Sequence, residues 1–305
     1  MKFQLVIVPE EDEVEDNGTE VEAKPAEIVE VEAQTDKEPS MLWRIGNAVT
    51  FGLCVVSNYI AGSKIGEISR KNEVKITPDG WAFSIWGIIY SLLAGFAFFQ
   101  YTVKTPRFGA IVKDIGPFFI IGNICNATWL VTWTRGTPFW ISFSSILLLS
   151  LLASNLIILH LAKSFKPDNG HGIYELIFID VAFSIYAGWT TVASILNVAI
   201  SLMVNKWDGF GINPSYWGAL MVLVAAEINV VYLFRERNLI VALVFCWACF
   251  AIFTKQSKTD NIVGGACILC FLGVFMTTWI YVSHNNALIK RGKKASLSRD
   301  LLIYK

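Results

Sequence analysis

The chain has 305 residues, of which 54% are hydrophobic and 16% charged, and its mean hydropathy is +0.51. A soluble domain carries about 25% charged residues, so an ordinary soluble enzyme is excluded. The formal net charge of zero is a cancellation: residues 1–40 hold 13 acids and 3 basic residues, a local −10, and residues 41–305 carry +10. No basic face survives outside short breaks in the apolar body, which excludes a nucleic-acid binder.

Residues 9–40 read PEEDEVEDNGTEVEAKPAEIVEVEAQTDKEPS. Acids recur without aromatics, and such a segment cannot bury enough apolar area to offset its ordering entropy, so disorder is predicted. The opening MKFQLVIV is too short an apolar run for a signal peptide, and the acids that follow oppose a mitochondrial transit peptide.

Eight stretches then approach the ~20 apolar residues that cross a hydrocarbon core: 45–65, 81–102, 115–134, 138–162, 173–204, 215–234, 238–254 and 262–284. The predicted fold class is therefore all-α, a polytopic membrane helix bundle. The stretch 138–162 is the most apolar, and 238–254 is the shortest; without it the count would be seven. Turn residues mark the breaks: Thr77-Pro78-Asp79-Gly80, Gly136-Thr137-Pro138, Lys166-Pro167-Asp168-Asn169-Gly170 and Asn213-Pro214-Ser215. The break after the third span is so short that the third and fourth spans should be antiparallel neighbours. Eight spans put both termini on one side, which collects 17 basic residues against 8 opposite. The positive-inside rule makes that side cytoplasmic, with the basic 64–75 loop as the counterweight. Which membrane holds the chain is not written in it.

Two helical faces combine aromatic and amide side chains. Asn126, Trp129 and Trp133 are spaced i, i+3, i+7 in the third span. Tyr186, Trp189, Ala193 and Asn197 are spaced i, i+3, i+7, i+11 in the fifth. Either face could wall a flat aromatic pocket, or hold helices together with Asn as the polar bond. Glu175, Asp180 and Glu227 are acids within spans; Glu175 reads as interfacial, and about 140° of helix separates it from Asp180. Asp180 and Glu227 are candidates for proton coupling, or for structural hydrogen bonds. The four cysteines Cys246, Cys249, Cys267 and Cys270 match a zinc spacing. They lie inside spans, where four thiolates would bury negative charge, and they read as small packing residues with Cys249 and Cys267 at one depth. No metal site or required cofactor is expected. There is no P-loop, and no nucleophile or acid–base pair of an enzyme is recognisable.

The stretch Tyr186-Ala-Gly-Trp189-Thr-Thr-Val-Ala193-Ser-Ile-Leu-Asn197 resembles the fifth-helix pattern of the TspO/MBR family, the tryptophan-rich sensory or translocator proteins. Asn126-Ala-Thr-Trp129 is similar to its third-helix motif, and Pro78-Asp-Gly-Trp81-Ala-Phe-Ser-Ile-Trp86-Gly-Ile-Ile-Tyr90 to its loop and second helix. The resemblance covers about 43–205. It implies a five-helix core binding flat hydrophobic ligands, chiefly tetrapyrroles, in a pocket bounded by Trp81, Trp86, Tyr90, Asn126, Trp129, Tyr186, Trp189, Ala193 and Asn197. The Tyr of the family's sterol-associated motif is missing from Val198–Lys206. The division that follows is an acidic tail (1–42), the TspO-like domain (43–205), a three-helix membrane extension (206–289) and a basic C-terminal tail (290–305). The expected function is binding, sensing or translocating a planar hydrophobic molecule, with lipid bilayer and small molecule as partners and a homo-oligomer left open. The alternatives are a proton-coupled secondary transporter using Asp180 and Glu227, and a membrane scaffold whose tail recruits partners.

Overall fold

The computed structural model describes residues 5–6, 28–29, 41–162, 164 and 172–303, with side chains at 63 and beyond 284 outside the description. The chain has two units, Met1–Glu38 and Pro39–Lys305. In the first, Leu5–Val6 pairs antiparallel with Ile28–Val29. The disorder predicted for 9–40 otherwise falls outside the described residues.

Among the described residues the second unit holds eight helices long and apolar enough to cross a membrane. They are α1 (Met41–Lys71), α2 (Ile85–Thr102, entered through a 3-10 turn at Gly80–Ser84), α3 (Pro106–Trp133) and α4 (Pro138–Leu161). Then come α5 (Ile173–Val204), α6 (Pro214–Glu236), α7 (Leu239–Gln256) and α8 (Asn261–Ile303). The short stretch 238–254 does form a helix. Its start is fixed by Asn238, which accepts hydrogen bonds from the backbone N–H groups of Ile240 and Val241, two of the orphan donors of any helix start. Arg237 takes the left-handed conformation that ends α6 (φ 57°), so two residues reverse the chain.

Two expectations need correction. The 64–75 segment is not all loop, because α1 continues to Lys71 beyond its apolar part, with Lys71 paired to Glu67 at 2.6 Å along the helix. Helix α8 itself runs on past its apolar part to Ile303. The 140° offset between Glu175 and Asp180 does not hold. Residues Leu176–Val181 form a π-type turn, whose i→i+5 hydrogen bonds change the helical phase. Glu175, near the start of α5, is buried against Arg107 of α3 at 3.9 Å.

Helices α3 and α4 are neighbours, as the short break between them predicts; α3 also packs against α1, and α4 against α5. Gly136, at φ 68°, turns α3 directly into its antiparallel neighbour α4. At one end of the bundle Phe96, Phe119 and Phe183 meet edge to face, with centroids 5.0, 5.6 and 5.8 Å apart. Asn47 donates to the Gln100 side chain at 3.1 Å, and Gln100 donates to the Arg44 carbonyl, joining α1 to α2. Such amide pairs replace the water that hydrocarbon lacks.

The last three helices close on the first five along the contact of α5 with α7. Gly188 makes this approach: a Cβ there would sit 2.9 Å from Val244 Cβ and 3.4 Å from the Val241 backbone. Asn238 fixes one end by donating to Ser184 of α5 at 2.7 Å. Cys249 of α7 and Cys267 of α8 are both buried.

Gly188→Ala should therefore lower the thermal stability of the purified protein by about 1–3 kcal/mol, the usual cost of overpacking. Val244→Ala in the same chain should restore most of the loss, read from the shift of the melting curve in detergent.

Candidate ligand cavity

The two aromatic and amide faces meet. Trp86 of α2 stacks on Trp129 of α3 (6.0 Å, 25°) and on Tyr90 (5.6 Å, 18°), and Trp129 stacks on Trp133 (6.3 Å, 30°). Trp189 of α5 stands edge-on to Trp86 at 6.4 Å, and to Phe83 of the 3-10 turn at 5.6 Å. The rings make a corner: one wall of near-parallel planes, the other perpendicular. This corner lines a cavity of about 540 Å³, whose wall also includes Phe83, Leu148, Ala193 and Asn197.

The corner is held from behind by amides. Asn126, fully buried, donates to the Tyr186 hydroxyl at 2.6 Å and to the Tyr90 hydroxyl at 3.1 Å, tying α3 to α5 and α2. Asn58 of α1 also donates to Tyr90, at 2.7 Å. Asn197 donates to Ser144 and Ser145 of α4 at 2.9 and 2.7 Å, and accepts from the Trp129 indole at 3.3 Å. Both Asn residues thus serve as interhelical bonds, and Asn197 does so while bordering the cavity. Two indole N–H groups at the cavity, those of Trp133 and Trp189, are buried without a hydrogen-bond partner. Buried indoles usually find one.

Of the nine residues predicted for the site, Trp86, Trp129, Trp189, Ala193 and Asn197 line the cavity. Tyr90, Asn126 and Tyr186 form the network behind it. Trp81 departs from the expectation. It packs edge to face on Trp247 of α7 at 4.7 Å and against Phe250 at 5.9 Å, outside the cavity. The 3-10 turn explains this, because Phe83 rather than Trp81 is brought over Trp189. Sequence reasoning missed Phe83, and it missed the charged mouth formed by Arg70, Glu73, Asp79 and Lys255. The basic 64–75 segment signalled the near half of that mouth; Lys255 had no signal.

The mouth is set by the segment joining α1 to α2. That segment is pinned to α7: the Asp79 N–H donates to the Ala251 carbonyl at 3.1 Å, the Trp247 indole donates to the Ala82 carbonyl at 3.2 Å, and Lys255 pairs with Glu73 at 2.6 Å. Beside it, Lys75 pairs with Asp260 at 2.9 Å. The proton-coupling candidates lie elsewhere. Asp180 is buried within the π-type turn of α5, whereas Glu227 is exposed on the outer face of α6. Among the described residues no cluster of three or more His, Cys, Asp or Glu could hold a metal ion.

Burial alone would push the Asp260 carboxyl up, but the Ser215 hydroxyl, Lys75 and the Val263 N–H outweigh it and hold the group down at about 2. A depressed folded-state pKa stabilises above the unfolded value, near 4, and the contribution fades as pH falls towards 2. Asp260→Asn should cost about 2 kcal/mol at neutral pH. Its melting temperature should fall less steeply than that of the parent between pH 4 and pH 2.

The family model described as TSPO-like protein matches residues 42–280, which runs through all eight spans and further than the resemblance over 43–205. No curated protein and no solved structure matches the chain.

Proposed function

The chain belongs to the TSPO-like protein family, and we propose that it binds a planar hydrophobic molecule, of the tetrapyrrole class, in the aromatic cavity of its core. The observation that carries this reading is the aromatic corner of Trp86, Trp129 and Trp189 lining a cavity of about 540 Å³ that Asn197 also borders. A ligand with a flat apolar body would stack on the corner. Arg70 and Lys255 at the mouth suit acidic side groups on such a ligand. Binding is the core of the proposal, with sensing or translocation as its use. On the excess of basic residues we place both termini in the cytoplasm, so that the mouth opens on the opposite side.

A second reading, proton-coupled transport, draws on Asp180, a buried acid in a π-type turn within a span. One experiment separates the two. Protoporphyrin is titrated into the detergent-solubilised protein while intrinsic tryptophan fluorescence is followed. Trp129→Ala with Trp189→Ala should weaken saturable quenching about tenfold or more, equivalent to at least about 1.4 kcal/mol, in a protein that still melts cooperatively. Asp180→Asn should leave quenching unchanged. Unaltered affinity in the double variant would remove the corner from the site; loss of pH-dependent flux in Asp180→Asn liposomes, with quenching intact, would favour transport.

A further inference from the structure

A cleft of about 340 Å³ lies on the other side of α5 from the aromatic corner. Its floor is the α5 face of Ala187, Thr191, Ser194 and Val198, spaced i, i+4, i+7, i+11. Trp189, Ala193 and Asn197 of the same helix line the aromatic cavity, and no residue borders both spaces. Helices α4 and α6 form the two sides. Helix α4 packs on α3 and α5, α6 chiefly on α7 and α8, and the cleft is the room left between them. The small side chains of Ala187, Thr191 and Ser194 keep its floor low. Leu149 and Leu156 of α4 and Ile228 of α6 stand exposed at the rim. All three lie inside spans, so the rim opens on hydrocarbon and not on water.

The lining contains no Asp, Glu, Lys or Arg. The Thr191 hydroxyl donates to the Ala187 carbonyl at 2.9 Å, and the Asn229 amide donates to the Ala225 carbonyl at 2.7 Å. Ser194 Oγ and Asn229 Oδ1 are buried beneath the surface of the cleft. A polar occupant would lose its hydrogen bonds with water or headgroups and gain none here. Size narrows the choice further. From Ala187 to Val198 the helix rises about 16 Å, roughly half of the ~30 Å hydrocarbon core. Spread over that length, 340 Å³ leaves a cross-section of about 20 Å², the girth of one polymethylene chain. A helix is ~10 Å across, and an equal length of it fills about 1,200 Å³, so a helix of a partner or of a second copy does not fit.

We propose that this cleft is a site for one acyl chain of a bilayer phospholipid. The chain enters sideways between α4 and α6 and lies along α5, filling the space between the first five helices and the last three. Tyr232 closes the end nearer Arg235, a helical turn away, where α6 reaches its polar end. The headgroup stays at the interface on that side. Because the cleft and the aromatic cavity share no lining residue, either site can fail alone.

The test is photolabelling of the full chain in phosphatidylcholine nanodiscs doped with a phosphatidylcholine that carries a diazirine in mid-chain, mapped by mass spectrometry. The middle of α5 is buried or half-buried throughout, so a lipid chain must enter the fold to reach it. Labelling is expected within 187–198, beside that of the outward face of α8 (Leu269, Leu272, Met276). Thr191→Phe and Val198→Phe, which fill the cleft at two different turns, should each lower the α5 label by about tenfold and leave the α8 label unchanged. Protoporphyrin should not alter the α5 label. The proposal is overturned if α5 is unlabelled in the parent protein, or if it is fully labelled in both variants while they melt like the parent. Displacement of the α5 label alone by protoporphyrin would place the entry through the aromatic cavity, and displacement of it alone by cholesterol would make the occupant a sterol; either result contradicts the proposal.

Discussion

The arrangement of the cavity depends on one contact, that of α7 with the segment between α1 and α2. Residues 72–79 have no helix of their own in which to place their backbone hydrogen bonds. At a membrane boundary, backbone without partners is costly. Helix α7 supplies what is missing: the Ala251 carbonyl takes the Asp79 N–H, the Trp247 indole caps the Ala82 carbonyl, and Lys255 reaches Glu73. Trp81 packs one face against Trp247 and Phe250 while staying 37% exposed. The position of Phe83 over Trp189, and hence the shape of the aromatic corner, follows from where this segment is held. On this account the last three helices are part of the cavity's construction, in keeping with a family match that continues through them.

The second requirement is polar. Four helices surround the corner, and hydrocarbon offers no water to their side chains. Asn126 and Asn197 each make several bonds to other helices, which fixes α2, α3, α4 and α5 around the rings. The result is a wall whose amides are used up in construction, leaving the aromatic rings to face the cavity. Gly188 gives the same set of helices its close approach to α7, so the corner and the clamp share a helix, α5.

Most of the fold was legible, because spans are long and every helix face repeats with one period. The Asn126–Trp129–Trp133 and Tyr186–Trp189–Ala193–Asn197 faces are local patterns, and the residues they name do converge. Spacing could not separate lining from support: Asn126 and Asn197 share a pattern, yet one sits behind the wall and the other borders the cavity. Trp81 could not be placed, because its partner Trp247 is far away in the chain and no local period links them. The π-type turn at Leu176–Val181 was hidden too, since it depends on how the chain is packed and not on a composition signal. The charged mouth is the clearest loss. Lys255 reads as the end of a span, and only the folded chain sets it against Glu73.

The most direct measurement is hydrogen exchange of the backbone across 72–84, compared between the parent protein and Trp247→Ala. If α7 clamps the segment, these amides are protected in the parent and exchange about tenfold or more faster in the variant, while the amides of α3 and α4 are unchanged. Equal exchange of 72–84 in the two proteins would contradict the account, because the segment would then hold its place over the cavity without α7.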